Sequence, residues 1–437
     1  MKKKVLLYLT LFCIFLVWNL LLVPLNLDEV WNYGFAHNIY SGLIPYKDFN
    51  MILTPFYPFL MSLPFHLFGS SMLVFHIEQA IILVVLCFVL FYLLKEKAWF
   101  IILFFFFPLP LSFPSYNLFL FFLFVLLLIL EKKKANDYLI GFVLGLSILT
   151  KQSVGFCLFL VSFYHLKDFK RFSKRTIGML IPVGVFGIYL IFSNSWKEFL
   201  DLCVFGLLDF SKNSNGINFY FLLLLFMVGI TIYKIFKDKK NINLYYCLAF
   251  YSVMIPLFDA YHFQVAVLAF FMIFLTKNFK IPIRPVLFSL GVILGVMLVA
   301  LIHRLDQKII YPNDIPHFEY RFLDNGSIQF TKEVNLYMKK NKNKEFFFLT
   351  SNAYYFRLVN DMPISYIDLI NQGNWGYHGS DKLLKVIKNS KNSIFFVDEG
   401  ELSFIKQLDK RALLYVINNG EKIDEVGSYD IYVFNKK

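Results

Sequence analysis

Charge is what this sequence has least of. Lys, Arg, Asp and Glu make up 17% of its 437 residues, whereas soluble domains carry about a quarter. That shortage excludes an ordinary water-soluble globule. Cysteine is scarce too: Cys13, Cys87, Cys157, Cys203 and Cys247 stand far apart, and none follows Cys247. Such spacing contains no metal-ligand motif and argues against a disulfide framework. The net charge of +13 comes without a basic face interleaved with aromatics, so nucleic acid is not an expected partner. The amino terminus opens on Lys2, Lys3 and Lys4 and an apolar run to Leu25, with no small-residue cleavage site behind it. It reads as a retained first span rather than a signal peptide. Internal repeats and low-complexity linkers are absent as well.

What is abundant is apolar. Hydrophobic residues make up 58% of the chain and phenylalanine alone occurs 55 times. They fall in long blocks almost free of charge, as a bilayer core of about 30 Å demands. The blocks lie near 5–25, 72–94, 98–113, 115–130, 138–150, 152–166, 176–193, 219–236, 244–258, 261–276 and 286–302. Their connections alternate in charge. One set carries Lys2–Lys4, Lys95, Lys97, Lys132–Lys134, Lys167, Lys170, Arg171, Lys174, Arg175, Lys234, Lys237, Lys239, Lys240, Lys277, Lys280 and Arg284. The other carries only Lys47, Lys151, Lys197 and Lys212. The bias puts the amino terminus in the cytoplasm and the carboxyl terminus outside it. The expected architecture is a polytopic α-helical protein of the cell membrane, multi-pass with about eleven spans. These occupy residues 1–302, and an extracytoplasmic α/β domain follows over 303–437.

Two stretches need a local argument. Residues 138–166 could form one long helix with Lys151 near its middle, at an insertion cost of roughly 2.5–3.5 kcal/mol. A hairpin turning at Thr150-Lys151-Gln152-Ser153 avoids that cost and keeps the basic clusters on one side. In the first outer loop, 26–71, a helix over 29–41 is expected to be capped by Asp28 and ended by Gly42. Its Trp31, Phe35 and Ile39 side would lie on the bilayer. In the tail, EFFFLT (345–350) and SIFFVD (393–398) read as buried strands, with helical patterns near 381–390 and 401–417. VGSYDIYVF closes the chain as a hairpin or edge strand.

This topology brings most of the unexplained polar residues to one membrane level: Asp28, Glu29, Ser115, Tyr116, Asn117, Lys151, Gln152, Asp259, Tyr261 and His262. Carboxylates, a lysine and a histidine at an apolar mouth make an acid/base site. Each also has a plainer explanation. Asp28 is a competent N-cap, Lys151 can snorkel to headgroups, and Asp259 and His262 can simply end helices. Lys47 and Asp48 read equally as an exposed loop pair.

The loop carries more than these residues. An Asp28-Glu29 pair is followed by Y-x-x-x-A-H-x-I-x-x-G-x-x-P-Y-K-D-F and T-P-x-x-P, and G-L-S-I-L-T-K-Q stands at 145–152. The set resembles the GT-C glycosyltransferases, most nearly the protein O-mannosyltransferase and aminoarabinose-transferase-like group. The resemblance implies a sugar donor linked to polyprenyl phosphate and an acceptor in the cell envelope, whether glycan, lipid or protein. It makes Asp28 the general base and gives Glu29 a supporting or metal-binding place. It makes Lys151, and after it Lys47, the contact to the donor phosphate. Tyr46, Asp48, Asn117, Gln152, Asp259 and His262 become candidates for holding substrate. Some relatives use a divalent cation and others none; here Glu29 and His262 are the candidate ligands. Trp375, in D-L-I-N-Q-G-N-W-G-Y-H-G (368–379), suits a loop that stacks on a sugar or simply shapes the tail. A flippase for lipid-linked oligosaccharides, or a glycan polymerase or ligase of another fold, would share the spans. A flippase would carry its charges within cavities instead.

Overall fold

The computed structural model describes residues 2–22, 25–106, 115–212, 216–255, 257–276, 295, 299, 302, 308–309, 315–323, 325–362, 374–400 and 410–434. The expected span at 286–302 and the prolines at 108, 110 and 114 fall almost wholly outside them.

Apolar helices dominate to Leu275. Three of the described ones, Met72–Ile101, Phe169–Phe192 and Phe219–Lys237, are long and apolar enough to cross a membrane. Shorter ones accompany them, among them Asp137–Thr150, Gln152–His165 and Ala260–Leu275. The helix Met72–Leu94 breaks at Lys95, whose φ is 56°, where the charge pattern places a connection.

The stretch around Lys151 is a hairpin. Helix Asp137–Thr150 ends at Lys151 in an extended conformation, and helix Gln152–Leu160 starts at once. A Cβ on Gly155 would sit 2.2 Å from the backbone nitrogen of Ile148. Residues seven apart come that close only if the chain doubles back. The arm Asp137–Thr150 lies along helix Phe169–Phe192 with almost nothing between the backbones. A Cβ on Gly141 would be 2.1 Å from the Arg175 carbonyl oxygen, and one on Gly178 2.2 Å from that of Tyr138. Small residues at a helix seam permit this approach.

The loop helix runs Leu27–Tyr40, two residues earlier than its expected start, and its cap is Asn26. The Glu29 amide donates to Asn26 Oδ1 at 2.9 Å. Asn caps as well as Asp and stands first, so Asp28 falls in the first turn and its carboxylate is released from capping. The Trp31 and Phe35 side is also differently placed. It packs against Tyr354 of the tail, with ring centroids 6.5 and 5.6 Å away.

The tail folds as α/β structure. Its main sheet has the order β3 (Glu345–Leu349), β4 (Ser393–Val397), β6 (Tyr429–Val433), β5 (Glu421–Val426), after a small pair of β1 (Lys308–Ile309) and β2 (Phe322–Leu323). β3 and β4 run parallel, whereas β6 is antiparallel to both β4 and β5. The two expected strands are thus β3 and β4, and the closing segment is the β5–β6 hairpin. Helices Gly379–Asn389 and Lys410–Asn419 cover one face, where Phe347, Phe395, Leu383 and Leu413 are buried together. The other face, with Phe346, Phe348 and Phe396, joins the core of the helical part.

Candidate active site

The site grows from two places where helices start. Asp28 stands in the first turn of the loop helix. Asp259 is the N-cap of helix Ala260–Leu275 and accepts from the His262 amide at 2.8 Å. The His262 ring folds back on the same carboxylate, with Nδ1 2.9 Å from each oxygen. At the hairpin turn, Lys151 is 7% exposed. Its ammonium donates to Asn117 Oδ1 at 3.2 Å and to the Val253 carbonyl at 3.3 Å, and lies 5.5 Å from the centre of the Tyr116 ring. Both acceptors are neutral. Asp28, Asp259 and His262 complete the charge set: Asp28 and Asp259 each act electrostatically on both Lys151 and His262.

Among the described residues nothing hydrogen-bonds to the half-buried carboxylate of Asp28; only its backbone carbonyl accepts, from Asn32 at 2.6 Å. Burial raises this carboxyl above the usual carboxylate range, with Asp259 pushing the same way and His262 and Lys151 opposing. Burial acts on Asp259 too, but hydrogen bonds from His262 and the charge of Lys151 hold it below that range. Neighbouring carboxylates driven apart in this manner are suited to different tasks.

Glu29 belongs to a separate cluster. It is fully buried, with Oε1 2.6 Å from His76 Nε2 and Oε2 3.1 Å from Arg321 Nη2. Arg321 also donates to the carbonyls of Asn19 and Leu20 at the end of the first helical segment, the latter at 2.9 Å. Neither His76 nor Arg321 stood out in the sequence. A lone histidine in an apolar helix and a lone arginine in the tail carry no local pattern. The two candidate metal ligands are therefore apart, Glu29 on Arg321 and His76, His262 on Asp259. No group of three or more His, Cys, Asp and Glu side chains able to hold a metal ion occurs among the described residues.

The remaining candidates serve mainly to shape the loop. Tyr46 is buried with φ 73°, and its hydroxyl donates to the Leu53 carbonyl at 2.8 Å. Asp48 accepts from the Ile44 amide at 2.7 Å. Lys47, between them, is exposed. Gln152 reaches back to the Ile52 carbonyl at 2.7 Å, and Thr54 donates to that of Ile148 at 2.7 Å, so the loop is stitched to the hairpin. Trp375 is 5% exposed and packs in the second core of the tail, with no face offered to a sugar. Its neighbours dock instead. Asn50 donates to the Asn374 carbonyl at 2.9 Å, and the amides of Tyr377 and His378 donate to Asp201 and Asp209 at 3.3 and 2.6 Å.

No family model matches the sequence, and no curated protein matches it. Solved structures do match. ArnT from Cupriavidus metallidurans bound to undecaprenyl phosphate superimposes with a TM-score of 0.55 at 13% identity, over 99% of this chain and 98% of that one. The apo state of ArnT from Cupriavidus metallidurans gives 0.55 at 12% identity over the same shares. The fold, helical part and tail together, is thus similar to that of ArnT.

Proposed function

We propose that the chain is a membrane glycosyltransferase that moves a sugar from a polyprenyl-phosphate donor to a cell-envelope acceptor on the outer side of the membrane. The observation that carries this reading is the Asp28 carboxylate, without a hydrogen bond among the described residues and set electrostatically beside the buried ammonium of Lys151. A fold that in ArnT accommodates undecaprenyl phosphate supports it.

The acceptor hydroxyl gives its proton to Asp28 as its oxygen attacks the anomeric carbon. The bond from that carbon to the phosphate oxygen breaks in the same displacement, so configuration inverts. The lipid phosphate departs with the electron pair and gains negative charge, which Lys151 meets from a position where its hydrogen-bond acceptors among the described residues are neutral. A fixed charge in a water-poor site stabilises such a leaving group by a few kcal/mol.

The test is transfer by the purified protein from a panel of polyprenyl-phosphate sugars. One donor should be consumed with inversion at the anomeric carbon. Failure of every donor, with the fold intact, would remove the reading.

A further inference from the structure

Asp28 makes no side-chain hydrogen bond among the described residues, so something else must fix its position. Its chain neighbour is held very firmly. Glu29 is fully buried, and both its oxygens are taken, one by His76 at 2.6 Å and the other by Arg321 at 3.1 Å. Arg321 is itself buried and uses its other terminal nitrogen to grip the carbonyls of Asn19 and Leu20. A planar guanidinium can hold a carboxylate and two carbonyls at once, which an ammonium cannot do with the same geometry. The tail thereby clamps the end of the first helical segment to the first turn of the loop helix, the turn that bears Asp28. A parallel tie lies further along the same helix. Tyr33 bonds His317 Nδ1 at 2.9 Å, and the Met72 amide donates to the His317 carbonyl at 2.8 Å.

We propose that Arg321 is a positioning residue for Asp28, so that the catalytic site is complete only with the tail docked. This rests on Asp28 being the base. The clamp acts on geometry, and a base displaced by about 1 Å can cost on the order of 10²-fold in rate. A mere structural brace would contribute stability and nothing else.

The two are separated by removing the charges together. Arg321→Met alone strands Glu29 and should lower Tm sharply. Arg321→Met with Glu29→Gln leaves no stranded charge, so Tm should recover toward the parent value. In that double variant kcat should stay about 10²-fold low with the donor KM little changed. The acid limb of its pH profile should rise, because Asp28 shifts away from the cations that lower its pKa. Arg321→Lys, which keeps charge but loses the fork, should fold and show the same fall in kcat; it decides the matter if the double variant does not fold. Recovery of kcat along with Tm, or full activity of Arg321→Lys, overturns the proposal. Asp28→Asn, assayed beside them, keeps the two ideas distinct. If it is inactive while the double variant is fully active, only the positioning role fails; if it is active, the base assignment fails.

Discussion

Two clusters of buried charge lie at opposite ends of the helix Asp137–Thr150, and they are built on opposite plans. At the Asp137 end, Arg175 is fully buried and saturated. It bonds Glu131 at 2.6 and 3.0 Å, Asp137 at 2.8 Å and the Tyr246 hydroxyl at 3.3 Å, and Arg171 adds a second cation on Asp137 at 3.2 Å. At the Lys151 end the same kinds of groups are left short of partners. Lys151 has two long contacts to neutral oxygens, and among the described residues Gln152 Oε1 has no hydrogen-bond partner. A saturated network specifies structure. An unsaturated one in an equally dry place costs stability, and a bound substrate can supply what is missing.

The contrast can be broken by substitution, beginning with the largest effect. Asp28→Asn should lower transfer by about 10²–10⁴-fold and leave Tm unchanged, because Asn26 is the cap. Near-full activity in a transfer assay would return Asp28 to a structural role. Arg175→Met should do the reverse, costing about 3–5 kcal/mol of stability through the stranded Glu131. The kcat of its folded fraction should be unaltered, and a fall in kcat with parental Tm would erase the distinction between the two ends.

Lys151→Met should reduce turnover by about 10²–10³-fold and raise the donor KM. It should also move the acid limb of the pH profile upward. The sign follows from the proposed base role, in which Asp28 works ionised: burial raises its pKa, and Lys151 counteracts that rise. An acid limb that stays put would separate the lysine from the base. The smallest effect belongs to the cap itself. Asn26→Ala should cost about 1 kcal/mol, measurable as a lower Tm, with the pH profile unchanged.

The sequence was most informative where one residue type carries the physics. The charge pattern pointed to the hairpin at Lys151, which the structure has, because an ammonium in mid-bilayer is expensive wherever it stands. β3 and β4 were legible as short, charge-free aromatic runs. Asp28 as a cap was misjudged because Asn26, two residues earlier, caps equally well, and only the backbone decides which one does. The role of Glu29 was hidden because Arg321 lies 292 positions away. Trp375 was misleading for a different reason. Glycine and tryptophan in a polar loop describe a binding strip and a buried anchor equally well, and its neighbours Asn374 and Tyr377 do the docking.

The glycine seam between Asp137–Thr150 and Phe169–Phe192 has a mechanical consequence. With backbones touching at Gly141 and Gly178, the arm behaves as a strut, footed on Arg175 at one end and carrying Lys151 at its tip. A single methyl at Gly141 would lever that tip. A substitution a whole helix length from Lys151 should therefore retune its proposed grip on a lipid phosphate, with every residue around Lys151 untouched.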